Sequence, residues 1–78
     1  MEDVHGVVPG SVVLVPEGFP LMRHGRLDRP EHDQQLRVAA VEHEAHRGQD
    51  AYTVRLVFGE GLWAEYDSGD RVNVVSEA

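Results

Sequence analysis

Cysteine is missing from the 78 residues, and so is lysine. The first absence excludes disulfides and thiolate metal sites, so the fold must rest on packing and hydrogen bonds. The second leaves arginine as the only strong base. Seven arginines face fourteen aspartates and glutamates, for a formal charge of −7. We read the missing lysine as the codon bias of a GC-rich bacterial genome. A field of this sign repels phosphate backbones, because nucleic-acid affinity comes largely from cationic neutralisation. Nucleic acids and anionic membranes are therefore disfavoured partners, and a basic partner is attracted. Long apolar runs are missing as well; nothing approaches the ~20 residues of a membrane span. The opening residues, Met1-Glu2-Asp3-Val4-His5-Gly6, lack the basic and apolar regions of a secretory leader. A cytoplasmic setting is the expectation.

A chain of 78 residues has room for one domain, residues 1–78, with residues 1–8 expected as a flexible N-terminus. A domain this small buries only about 60% of the surface its unfolded chain exposes. Such a core leaves little material for a deep, dry active site, and the reading leans away from an enzyme. Five histidines temper the acidity: protonating all of them would move the formal charge from −7 to −2.

Valine dominates, with thirteen copies. Its stiff, branched side chain suits a pleated surface better than a helix. Glycine and proline punctuate at short intervals, so short strands and turns should alternate. The first strand is Ser11 to Val15, stopped by Pro16-Glu17-Gly18. Residues 17–35 hold Pro20, Gly25 and Pro30 without a sustained period and read as a long loop. One helical turn over residues 28–35 is an open alternative there, with Pro30 in its first turn. A second strand spans Leu36 to Glu44, with a bulge near Ala39-Ala40 to restore the inward face before Val41. The third, Tyr52 to Phe58, alternates most clearly: Tyr52, Val54, Leu56 and Phe58 point one way, Thr53, Arg55 and Val57 the other. Gly59-Glu60-Gly61 is a hairpin connection, with two glycines free to take positive φ. Leu62–Tyr66 and Arg71–Val75 complete five strands. In the fourth, Leu62, Ala64 and Tyr66 form the core set, which turns Trp63 outward with Glu65.

This order resembles the SH3-like barrel group, which includes Tudor and KOW domains. The residues that carry the resemblance are Tyr52-Thr53-Val54-Arg55-Leu56, the Gly59-Glu60-Gly61 turn and the corner Tyr66-Asp67-Ser68-Gly69-Asp70-Arg71-Val72. The same succession of arginine-bearing strand, glycine turn and Gly-Asp-Arg-Val strand is similar to small actinobacterial proteins. The resemblance spans residues 11–76 and implies an all-β, five-stranded barrel with a long loop after its first strand. A Tudor-type site would need an aromatic cage drawn from Phe19, Tyr52, Phe58, Trp63 and Tyr66. KOW-type nucleic-acid binding uses basic loops, which this acidic chain lacks.

Four constellations could carry chemistry. His43 and His46 lie close together among carboxylates and could ligate a metal, although residues three apart on a strand face opposite sides of the sheet. Surface loop histidines are the plainer reading. Glu42-His43-Glu44 and His32-Asp33 place carboxylates beside imidazoles, but sequence neighbours on a strand point apart, so adjacency makes no acid–base dyad. The Gly59-Glu60-Gly61 segment lacks the lysine and following helix of a phosphate cradle. An outward Trp63 is an interface anchor in type, and Phe19 and Met22 in the long loop could join it as an apolar patch with Arg23 on its rim. The expectation is therefore a non-catalytic module that binds a protein or peptide through Trp63, Phe19, Met22 and Arg23, with no cofactor. The alternatives are a small self-associating accessory subunit, a metal-dependent enzyme using His43, His46 and a carboxylate, and an acidic mimic of nucleic acid.

Overall fold

In a computed structural model, which describes residues 1–45 and 52–78, the chain is all-β and built from two antiparallel sheets. Nine strands occur among the described residues: β1 (Glu2–Asp3), β2 (Val12–Val15), β3 (Leu21–Arg23), β4 (Arg26–Asp28), β5 (Gln34–Arg37), β6 (Ala40–Ala45), β7 (Tyr52–Gly59), β8 (Leu62–Asp67) and β9 (Arg71–Ser76). A four-stranded sheet has the order β1-β9-β2-β5, and a five-stranded sheet the order β4-β3-β8-β7-β6. Among the described residues no helix is long and apolar enough to cross a membrane.

Burial follows the alternation of the long strands. Val13 and Val15 of β2, Val54 and Leu56 of β7 and Ala64 of β8 are fully buried, and Tyr66 nearly so. Tyr52, Phe58 and Leu62 pack against this cluster from its margins. Valine supplies seven of the eleven buried apolar residues, so the core is made of small, stiff units rather than large rings. Such units leave no slack, and each lost methyl is felt.

The strand expected over residues 36–44 is two strands that serve different sheets. Val38 still belongs to the first sheet: its N–H donates to the Ser11 carbonyl, and its carbonyl accepts from Gly10, both at 2.7 Å. Ala39 has already crossed, and its N–H donates to the Val57 carbonyl at 2.7 Å. The break in phase between Val38 and Val41 is thus met by a sheet-switching corner rather than by the expected bulge. Ala39 is exposed at the bend, while Val38 is buried on one side and Val41 packs on the core from the other.

The long loop is not irregular throughout. Residues 21–28 form the β3–β4 hairpin, with His24 (φ 52°) and Gly25 (φ 80°) both left-handed at its tip. Two left-handed central residues are the signature of a type I′ turn, whose twist matches that of paired strands. The helical turn over residues 28–35 does not form. Gly18 N–H donates to Pro30 O at 2.9 Å, Arg29 Nη1 donates to Gly18 O at 2.8 Å, and Glu17 N–H donates to Asp33 Oδ1 at 2.8 Å. These bonds hold residues 29–33 against the start of the loop and satisfy backbone groups that a helix would otherwise use.

Residues 1–8, expected as a flexible N-terminus, form β1 and a 3₁₀ turn over Val4–Gly6. Val4 and Val7 are buried in the core, and Val4 N–H donates to Asp70 O at 2.9 Å. Asp3 caps the turn by accepting from His5 N–H at 2.9 Å.

Candidate binding face

One face of the five-stranded sheet looks inward and the other away from the core. Directly paired residues on antiparallel strands share a face. The register therefore places Leu27, Met22, Trp63, Val57 and Ala40 in a single row across the outer face, from β4 to β6. Leu27 is 58% exposed, and the other four are half-buried. The adjacent row is Glu42, Arg55 and Glu65, and the next is Glu44, Thr53 and Asp67. Four carboxylates thus share this face with one guanidinium.

Arg55 links the apolar and acidic rows. Its guanidinium carbon lies 3.8 Å from the Trp63 ring centroid, within cation–π range. The same group reaches Glu65 Oε2 at 3.4 Å and Glu42 Oε1 at 3.8 Å. Arg55 is held on the indole by the carboxylates that flank it, and Trp63 is half-buried.

The four expected binding residues are divided by the fold. Met22 and Trp63 are register partners, which the sequence could not establish because β3 was read as loop. Arg23 lies one position on and pairs instead with Asp28, Nε to Oδ2 at 3.2 Å. Phe19 belongs elsewhere: its ring stacks on Tyr66 with centroids 5.0 Å apart. Burial, and then Asp70 close by, push the Tyr66 phenol up to about 12. An acid whose folded value is raised contributes its full stability below the unfolded value near 10 and loses it as pH rises through the folded one. The domain should therefore weaken between about pH 10 and 12. Tyr66→Phe should remove that component in alkaline denaturation curves; an unchanged alkaline limb would contradict the assignment.

His43 lies on β6, and its ring stacks on His5 at 6.0 Å between centroids. His46 lies outside the described residues, so the His43–His46 pairing has no structural description. Among the described residues no group of three or more His, Asp or Glu side chains is close enough to hold a metal ion.

A second polar arrangement escaped the sequence reading. Tyr52 Oη and His5 Nδ1 are 2.8 Å apart, and His5 Nε2 and Ser68 Oγ are 3.1 Å apart. The three residues are separated by 47 and 63 positions, so no local pattern announces them. A serine–histidine pair suggests nucleophilic chemistry, but a phenol rather than a carboxylate occupies Nδ1. Asp3 Oδ1 approaches the opposite nitrogen, Nε2, at 4.0 Å. Neither His5 nor Ser68 lines the pocket that opens between Leu14, Phe19 and Tyr66. The chain of hydrogen bonds ties the N-terminal segment to β7 and to the turn before β9.

Compared with protein-family models, with curated proteins and with solved structures, the chain finds no match in any of the three.

Proposed function

We propose that this domain is a non-catalytic protein-binding module with an SH3-like barrel architecture, and that its outer five-stranded face takes a basic segment bearing an apolar anchor. The observation that carries the reading is the Leu27–Met22–Trp63–Val57 row beside four carboxylates on one face. An apolar strip offers area to bury, and the acids steer and orient a cationic chain. A second copy of this domain is a poorer occupant, because it would set carboxylates against carboxylates. Support for the barrel comes from connectivity. The first long strand, β2, pairs with both β5 and β9; a hairpin occupies the loop after β2; and the chain over residues 34–45 contributes to both sheets.

The chain has a single tryptophan, so its fluorescence reports on this face alone. A short synthetic peptide with two leucines between lysines should shift the emission saturably, and its glutamate-for-lysine counterpart should not. Added salt should weaken the response, since the attraction is electrostatic and exposed. Trp63→Ala should lower peptide affinity by roughly 30-fold, the loss expected of a tryptophan hot spot, while leaving the strand spectrum unchanged. Equal responses to both peptides would sink the proposal. Unfolding of Trp63→Ala would also count against it, by making the indole a structural cover.

A further inference from the structure

A pocket of about 240 Å³ opens on another side of the domain, away from the Trp63 row. Leu14, Phe19, Tyr66 and Val72 supply apolar walls, and Arg71 and Asn73 supply polar groups. The stacked Phe19 and Tyr66 rings give it a flat aromatic side, with 25° between their planes. The volume exceeds the ~150 Å³ of a cavity that takes benzene, and it falls below the ~300–1,000 Å³ of sites for drug-sized ligands. It therefore suits one ring, or a branched aliphatic body of similar bulk.

The polar groups point to the ligand's charge. Among the described residues no carboxylate lies within ion-pair distance of Arg71, whereas Arg23 and Arg55 are both paired. Asp3 is the register partner of Arg71, but its carboxylate is turned to the His5 N–H. In a chain of net charge −7, Arg71 sets a guanidinium with no carboxylate in ion-pair distance among the described residues beside an apolar pocket, while Asp70 lies near the pocket's Tyr66 wall. Asn73 adds amide donors, and the Tyr66 phenol remains a protonated donor at neutral pH. A guanidinium is the group best shaped for a planar, two-oxygen anion.

We propose that this pocket binds a small monocarboxylate whose body is a single ring or a compact branched chain, with the carboxylate on Arg71 and the apolar body between Phe19, Tyr66 and Leu14. The site is separate from the Trp63 face, and the two stand or fall independently.

The probe is 3-phenylpropionate, titrated into the isotopically labelled domain and followed by amide chemical shifts. The expected result is a saturable response concentrated at Leu14, Phe19, Tyr66, Arg71 and Val72. The uncharged 3-phenylpropionamide should bind about tenfold more weakly, because it forfeits a charge-assisted hydrogen bond. Arg71→Gln, an exposed change that leaves the core intact, should lower the affinity for the carboxylate by about the same factor and leave the amide's affinity unchanged. No saturable shift by about 10 mM probe would overturn the site. Equal binding of acid and amide, or shifts centred on Met22 and Trp63, would overturn the assignment of carboxylate to Arg71.

Discussion

Leu56→Ala should remove a large part of this domain's stability, about 4–5 kcal/mol. Leu56 is fully buried at the middle of β7, between β6 and β8, and faces Val41 and Ala64 across the sheet. Cutting a buried leucine to alanine costs about 2–5 kcal/mol, the transfer term plus the cavity left behind. A domain of this length has a total stability of roughly 4–12 kcal/mol. The surrounding valines cannot flow into the gap, because their χ1 angles are fixed by branching and backbone. The loss should thus fall near the upper end of its range. Val57→Ala, one position along and on the outer face, is the matched control and should cost about 1 kcal/mol or less, since Val57 is half-buried and leaves no enclosed void. Urea denaturation followed by far-ultraviolet circular dichroism measures both. Similar midpoints for the two variants would mean that inward and outward positions on β7 have been misassigned.

That strand shows what the amino-acid sequence reveals by itself. Seven residues of alternating character, Tyr52 to Phe58, point to one buried face; β7 follows it at Val54 and Leu56 and β8 at Ala64 and Tyr66, although Thr53 on the other face of β7 is buried as well. The outward placement of Trp63 follows from the same alternation, through Glu65 and the core set of Leu62, Ala64 and Tyr66. The hairpin of β3 and β4 was hidden for a physical reason. Strands of three residues cannot show a period of two, and the turn uses His24 where asparagine is the familiar left-handed residue. The corner at Val38–Ala39 left a trace, the phase break before Val41. A phase break alone does not distinguish a bulge from a strand that changes sheets. The burial of Val4 and Val7 left no trace at all, because it depends on contacts with the far end of the chain. The candidate face divides along the same line. Trp63 could be found alone; its neighbours Met22 and Leu27 come from a hairpin that only the register reveals, and Arg55 reaches the indole as a diagonal neighbour, since Arg55 pairs with Glu65 and Trp63 with Val57. Phe19 is apolar and in the right loop, yet it packs on Tyr66 at the margin of the core.

The binding face depends on a contact between two turns, and Gly61→Ala tests it. Gly61 ends the β7–β8 turn with φ +73°, and its carbonyl accepts the His24 N–H at 2.7 Å. The His24 ring lies over the glycine so closely that an added Cβ would come within 2.5 Å of Nδ1. Two penalties follow. A left-handed alanine costs about 1–2 kcal/mol, and forcing the imidazole off the turn costs about 1–2 kcal/mol more. Only the second depends on His24. In a His24→Gly background the ring is gone and the I′ turn is retained, since glycine accepts positive φ freely. Gly61→Ala should therefore cost about 1–2 kcal/mol less there than in the wild-type chain, a coupling that a double-mutant cycle reads directly. The same contact fixes β3 against β8 and so places Met22 beside Trp63. The single variant should shift Trp63 emission to the red as that cover loosens, and the double variant should restore it. Additive costs in the cycle, with emission unchanged, would mean that the two turns do not meet and that the apolar row is not held together at this end.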